Sequence, residues 1–289
     1  MRKTFLEKII SPLLFSHDKR VARVKALLSS VPEGQELLEL AERMNVRFRF
    51  NPFLIFQGTM ASIGNTRPRF GERPEVQFSP FNRTMGLAVS LAHELRHLWQ
   101  AQQIDAPGNI GRLTFEKGVA YKRFMEADAF VFEKYMAAKM REATGLPIPW
   151  SGTPDLGLVN EMLGQGGAPP EDATKASGLK KLFDTFQQSV TAENYDRSVT
   201  AIFKKAADYF RGTASRPVTT EELQDKLKLE FNRASFKEVG DLAAVAVIGK
   251  GKEAIRYLGE FDTDAMLDGI WQKARNPTLQ KARADYALS

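Results

Sequence analysis

One group of residues in this chain has the types and spacing that metal chemistry requires. Two of the three histidines, His93 and His97, are four residues apart, and Glu94 directly follows the first of them. Residues at i and i+4 share one face of a helix, so both imidazoles can reach one Zn²⁺ ion, which also keeps a position for water. Zinc would lower the pKa of that water, and Glu94 would be the general base that takes its proton. The H-E-x-x-H pattern therefore predicts hydrolysis of a carbonyl compound.

A third protein ligand must come from another part of the chain. The remaining histidine, His17, is distant in sequence and the chain has no cysteine, so a carboxylate is expected. A second long helix, predicted over residues 113–143, carries Glu126 and Asp128. Two residues at this spacing are about 200° apart around a helix, so they cannot both face one ion squarely. The candidates are Glu126, which has the longer side chain, and Asp128, which is either the alternative ligand or a buried carboxylate that supports one.

Two segments resemble one family of enzymes. HELRHLWQ at residues 93–100 and EADA at residues 126–129 are similar to segments of bacterial zinc metallopeptidases of the gluzincin, or thermolysin-like, type. The resemblance covers roughly residues 45–145. It implies a Zn²⁺ cofactor held by His93, His97 and Glu126, and a peptide or protein substrate. Many gluzincins carry Asp four residues after the zinc-binding Glu, whereas this chain has Phe130 there.

The pattern of apolar residues predicts an α+β fold that is mostly helical. Alternating residues at 46–50 and short apolar segments at 60–63 and 75–78 predict strands. We expect a small antiparallel or mixed sheet packed on the H-E-x-x-H helix, with a helical C-terminal half. Helical periodicity predicts helices over residues 4–44, 84–103, 113–143, 179–212, 219–233, 237–260 and 263–275.

Changes in composition along the chain predict four parts. These are an N-terminal helical segment (1–45), a zincin-like metallopeptidase core (46–145), a Gly/Pro-rich linker or long loop (146–178) and a helical C-terminal domain (179–289). No apolar run approaches the roughly 20 residues of a membrane helix. We therefore expect a cytoplasmic protein without a transmembrane segment, and the sequence leaves its oligomeric state open.

Basic residues suggest further binding functions. The chain carries a net charge of +6, and residues 1–25 hold seven Lys or Arg against two Asp or Glu. This excess would suit a nucleic-acid or membrane-surface module, but only two aromatic residues, Phe5 and Phe15, lie among the basic ones, so a solvated helix face is favoured and nucleic acid is not the expected partner. Arg67, Arg69 and Arg73 are candidates for binding an acidic group of a substrate. A non-catalytic metal-binding interaction protein is the other alternative to a peptidase.

Overall fold

The computed structural model describes most of the chain. The described residues are 17–51, 53–54, 61–64, 73–80, 82–104, 113–149, 173–231, 242–259, 262, 265–266, 269–270 and 277–286. The helices within them are α1 (His17–Leu28), α2 (Pro32–Arg43), α3 (Thr84–Gln103), α4 (Phe115–Thr144), α5 (Ala176–Gln187), α6 (Val190–Thr213), α7 (Thr220–Phe231) and α8 (Pro277–Tyr286). The strands are β1 (Arg47–Phe50), β2 (Ala61–Gly64), β3 (Glu75–Phe78), β4 (Val247–Ile248) and β5 (Ile255–Arg256).

The predicted fold class is confirmed: the protein is mostly helical, with a small sheet. The three-stranded sheet is mixed, in the order β1-β3-β2, with β1 parallel and β2 antiparallel to β3. A parallel pair needs a long connection, and the chain between β1 and β3 supplies it by placing β2 on the far side of β3. Strands β4 and β5 form a separate two-stranded sheet.

Contacts along the chain define two compact units, and α4 contributes to both. The first unit contains Met1–Ala101, Ala129–Leu179 and Ile248–Glu253, and the second contains Gln102–Asp128, Lys180–Val247 and Ala254–Ser289. The division at residue 128 falls inside α4, which is one continuous helix of 30 residues. The predicted boundaries at residues 45, 145 and 178 stay a prediction, and residues 150–172 of the predicted linker lie outside the described residues.

In the first unit, helix α3 buries one of its faces, and helices α1 and α2 bury apolar residues of their own. The leucines at 87, 91, 95 and 98, on the side of α3 roughly opposite the histidines, are all fully buried. Helices α1 and α2 bury Leu28 and Leu37 and approach each other closely at Gly34. In the sheet, the ring of Phe48 stacks on that of Phe78 at a centroid distance of 6.3 Å.

The second unit is organised around the ring of Phe203 on α6. This ring contacts the rings of Phe115, Phe231 and Tyr286, which come from α4, α7 and α8. A buried ion pair also joins α4 to α6, since Arg123 donates to both carboxylate oxygens of Asp196 at 2.8 and 2.6 Å. Burial raises the pKa of Asp196, although the hydrogen bonds from Arg123 act in the opposite direction.

Two helix predictions in the C-terminal half were wrong. The helix predicted over 179–212 is two helices, because the Ser189 side chain accepts a hydrogen bond from the Ala192 amide and caps the start of α6. Where a helix was predicted over 237–260, the structure has the short strands β4 and β5. Gly249 and Gly251 lie between these strands with φ of 78° and 66°, a conformation that ends helices and forms turns. Within the described part of the chain, no helix has the length and apolar character needed to cross a bilayer.

The packing at Gly34 gives a test of the first unit. A Cβ atom at this position would lie 1.9 Å from the carbonyl oxygen of Leu28, and a backbone atom cannot move aside cheaply. We expect Gly34→Ala to lower the free energy of unfolding by about 2 kcal/mol or more, measured by urea denaturation. Gly212→Ala is the matched control, because open space surrounds Gly212 within α6, and stability should stay unchanged or rise by up to about 1 kcal/mol. Equal stability of Gly34→Ala and the native chain would contradict this packing.

Candidate metal centre

Helix α3 presents both histidines on its partly exposed face. Its opposite face is buried, so His93, Glu94 and His97 project from a helix that the core holds in place. The two imidazole rings are edge to face, with centroids 4.9 Å apart. The i, i+4 spacing therefore brings the two rings together, as the H-E-x-x-H pattern predicts.

Glu126 on α4 completes a group of three metal-ligating side chains. The candidate ligand atoms of His93, His97 and Glu126 all lie within 4.8 Å of one another. Asp128 does not belong to this group, although it is on the same helix and fully buried. The arrangement favours Glu126 over Asp128 as the third ligand.

The three side chains fit the requirements of Zn²⁺. Tetrahedral zinc with bonds of about 2.0–2.1 Å places its ligand atoms about 3.3 Å apart. The observed separations of at most 4.8 Å extend beyond that value, so the three side chains would have to draw together around an ion. Two imidazoles and one carboxylate are also the ligand set of thermolysin-type catalytic sites.

A supporting side chain contacts the Nδ1 atom of each histidine. Glu133 Oε2 lies 3.2 Å from His93 Nδ1, and Gln100 Oε1 lies 2.8 Å from His97 Nδ1. An amide oxygen only accepts hydrogen bonds, so the contact with Gln100 places the proton of His97 on Nδ1. In His97 this leaves Nε2 as the nitrogen suited to bind a metal, and the hydrogen bond on Nδ1 orients that ring.

Lysines balance the charge of the two buried glutamates. Lys122 Nζ lies 2.5 Å from Glu126 Oε1, and Lys134 Nζ lies 3.2 Å from Glu133 Oε1. Both carboxylates are 3% exposed, so each would be costly to ionise without a nearby cation. A metal ion bound at the histidines would share Glu126 with Lys122, and a carboxylate has two oxygens with which to serve both.

Asp128 has a different environment from Glu126. The hydroxyl of Tyr257 donates a hydrogen bond to Asp128 Oδ1, and the ring of Tyr257 contacts Phe183. The sequence places Asp128 on an aromatic face of α4, where an unpaired carboxylate would be expensive. Tyr257 is a partner that offsets this cost, and this position gives Asp128 a structural role.

Arg96, which lies between the two histidines in sequence, has a structural position. Its guanidinium carbon lies 3.9 Å from the ring centroid of Trp99 and 4.8 Å from that of Phe132 on α4. The side chain is only 2% exposed. The contact with Trp99 is within α3, and the contact with Phe132 joins α3 to α4 one residue before Glu133, which contacts His93.

Only one of the three arginines proposed to bind substrate lies within the described residues. Arg67 and Arg69 lie outside the described residues, and Arg73 is exposed just before β3. Their role in substrate binding stays a prediction.

Sequence reasoning missed the residues that support the ligands. Glu133 follows Glu126 by seven residues, which is two turns on the same face of a helix, and this spacing was the available signal. Gln100 also lies one turn after His97. No signal could have identified Tyr257, because it lies 129 residues beyond Asp128 in a segment that was predicted to be helical.

No protein-family model, curated protein or solved structure matches this chain. The resemblance to gluzincins therefore depends on the residues of the two motifs alone.

The contact between Tyr257 and Asp128 can be tested through stability. Tyr257→Phe removes the donor from a fully buried carboxylate while the ring is retained, so we expect the free energy of unfolding to fall by about 1–3 kcal/mol in urea denaturation. Tyr209→Phe is the control, because Tyr209 is 67% exposed and its change should have an effect within about 0.5 kcal/mol. A Tyr257→Phe protein as stable as the control would show that the hydroxyl does not support Asp128.

Proposed function

We propose that this protein is a zinc-dependent metallopeptidase. The observation that carries the proposal is the grouping of His93, His97 and Glu126 within 4.8 Å, from two helices, with Glu94 directly after the first histidine. Buried supporting side chains behind both rings add to this, because they direct Nδ1 away from the metal position. The gluzincin resemblance of the same residues is consistent with it.

Each residue of the proposed site has a distinct part in peptide hydrolysis. His93, His97 and Glu126 would hold the ion, which when bound lowers the pKa of a water molecule and polarises the substrate carbonyl. Glu94 is partly buried beside the histidines and would accept a proton from the attacking water. The same carboxylic acid would then deliver that proton to the leaving amine. Glu133 and Gln100 act through the rings that they contact and keep both histidines in one tautomer.

The nature of the substrate is part of the proposal. An edge strand of the three-stranded sheet, β1 or β2, offers backbone groups with which an extended peptide can pair. A peptide or protein substrate and a cytoplasmic location remain predictions from the sequence. A non-catalytic metal-binding protein would keep the same ligands but show no dependence of any activity on Glu94.

The choice of metal ligands predicts different effects of two substitutions. The native chain, purified without chelator and incubated with zinc, should contain about one zinc ion per chain by elemental analysis. Glu126→Gln replaces an anionic ligand with a neutral one and should weaken zinc binding tenfold or more. Asp128→Asn should leave zinc affinity close to that of the native chain while lowering thermal stability, because Asp128 contacts Tyr257.

One further variant and one further measurement make this comparison decisive. The His93→Ala, His97→Ala double variant is the metal-free reference, and a melting curve for each variant separates ligand loss from unfolding. If folded Asp128→Asn loses zinc while Glu126→Gln binds it normally, Asp128 is the ligand. A folded native chain that takes up no zinc would overturn the proposed function.

The role of Glu94 predicts loss of catalysis without loss of metal. Glu94→Gln keeps the size of the side chain but removes the base, so we expect hydrolysis to fall roughly 100- to 10,000-fold with zinc content unchanged. The assay is cleavage of a complex peptide mixture, followed by mass spectrometry. Glu42→Gln, which changes an exposed carboxylate on α2, should leave the cleavage rate unaltered. Equal cleavage by the native chain and Glu94→Gln would place the activity elsewhere.

A further inference from the structure

A concave site in the first unit shares no lining residue with the histidine site, and its chemistry is different. It is a cavity of about 790 Å³ formed by α1, by the segment that leads into α3 and by the residues after α4. Four cationic side chains line it: Lys19, Arg20, Arg23 and Arg83. None of its described lining residues is acidic. A volume of this size is typical of sites for small molecules.

Arg20 is held in a fixed position within this site. Its Nη1 atom donates a hydrogen bond of 2.6 Å to the carbonyl oxygen of Pro80, and its guanidinium lies 5.1 Å from the ring centroid of Phe50. Partial burial lowers the pKa of Arg20, but an arginine keeps its charge at any physiological pH. A positive charge is therefore partly removed from water, and the contacts that hold it supply no negative charge.

Asn82 and the start of α3 add hydrogen-bond donors. The Nδ2 atom of Asn82 is buried, and no acceptor among the described residues lies within hydrogen-bonding distance of it. The first residues of α3, from Thr84 to Gly86, also line the cavity, and the first helical hydrogen bond there is donated by Leu87. The preceding amide groups have no acceptor within the helix, so they can serve a ligand that accepts hydrogen bonds.

The remaining walls are apolar. Pro80, Met85, Pro147 and Pro149 line the cavity beside the cations. Cationic and donor groups of this kind match a phosphate group, and an apolar wall matches a hydrocarbon or ring attached to it. A free inorganic anion would contact the cations and hydrogen-bond donors but would leave the apolar wall without a contact.

We propose that this cavity binds a small organic phosphate, whose phosphate group contacts Arg20, Arg23 and Arg83 and whose organic part lies against Met85 and the prolines. An extended nucleic acid would require a continuous basic groove with aromatic side chains, whereas these cations line one half-open pocket whose described lining residues include no aromatic side chain. A lipid headgroup presents the same phosphate chemistry as a soluble ester, so the test must separate the two sources.

The test uses isothermal titration calorimetry with phenyl phosphate and with inorganic phosphate as probes. We expect the native chain to bind both probes and to bind phenyl phosphate several-fold more tightly, because only this probe reaches the apolar wall. The double variant Arg23→Gln, Arg83→Gln changes two exposed side chains and should weaken binding of both probes about tenfold or more. Its zinc content should equal that of the native chain, which separates this proposal from the metallopeptidase proposal.

A matched control removes the same charge from another part of the same unit. Arg43→Gln, Arg47→Gln changes two exposed arginines outside the cavity and should leave phosphate binding unchanged. Equal weakening by both double variants, in folded proteins, would show only a general charge effect and overturn the proposal. Absence of binding by the native chain at millimolar probe would also overturn it. So would binding to phosphatidylserine vesicles or to a single-stranded RNA oligonucleotide without binding to phenyl phosphate.

Discussion

Much of the structure depends on the need to pair the buried charges of α4. Five charged residues of this helix are at most 3% exposed: Arg123, Glu126, Asp128, Glu133 and Lys134. An ion left unpaired in such surroundings costs several kcal/mol, so each must have a partner in the folded chain. The partners come from separate segments, namely α3, α4 itself, α6 and the residues after β5. One helix thus determines which other segments must be close to it.

This requirement also explains the geometry of the candidate metal centre. Glu133 Oε2 lies 3.2 Å from His93 Nδ1, so this buried carboxylate lies directly beside one of the candidate ligands. Glu126 faces the histidines from about 10.5 Å earlier along the same helix. Arg96 contacts Phe132 with its charge and so holds the two helices at the level of the site. The groups that satisfy the buried charges are therefore the groups that pre-arrange the ligands.

The sequence was sufficient for the elements with strong periodicity and insufficient for those that depend on distant partners. Helix α3 has the predicted bounds, residues 84–103, and each strand of the mixed sheet begins and ends within one residue of its predicted bounds. The region around β4 and β5 was mispredicted because the apolar run before Gly249 fits a buried strand and a buried helix equally well. At the site, the histidines follow from local spacing, whereas the contact of Asp128 with Tyr257 spans 129 residues and has no local signal.

The position of Lys122 sets a condition on any metal that binds at the histidines. Its ammonium group lies 2.5 Å from a carboxylate oxygen of Glu126. It therefore offsets the negative charge of this carboxylate, which would otherwise attract a divalent ion. The ion must therefore gain enough from two imidazole nitrogens to compete with a short ion pair. Zn²⁺ binds imidazole strongly, whereas Mg²⁺ and Ca²⁺ prefer oxygen ligands, and the group of His93, His97 and Glu126 offers them a single carboxylate that Lys122 already contacts. Lys122 offsets the cost of burying Glu126, and it thereby favours a metal that binds nitrogen ligands over Mg²⁺ and Ca²⁺.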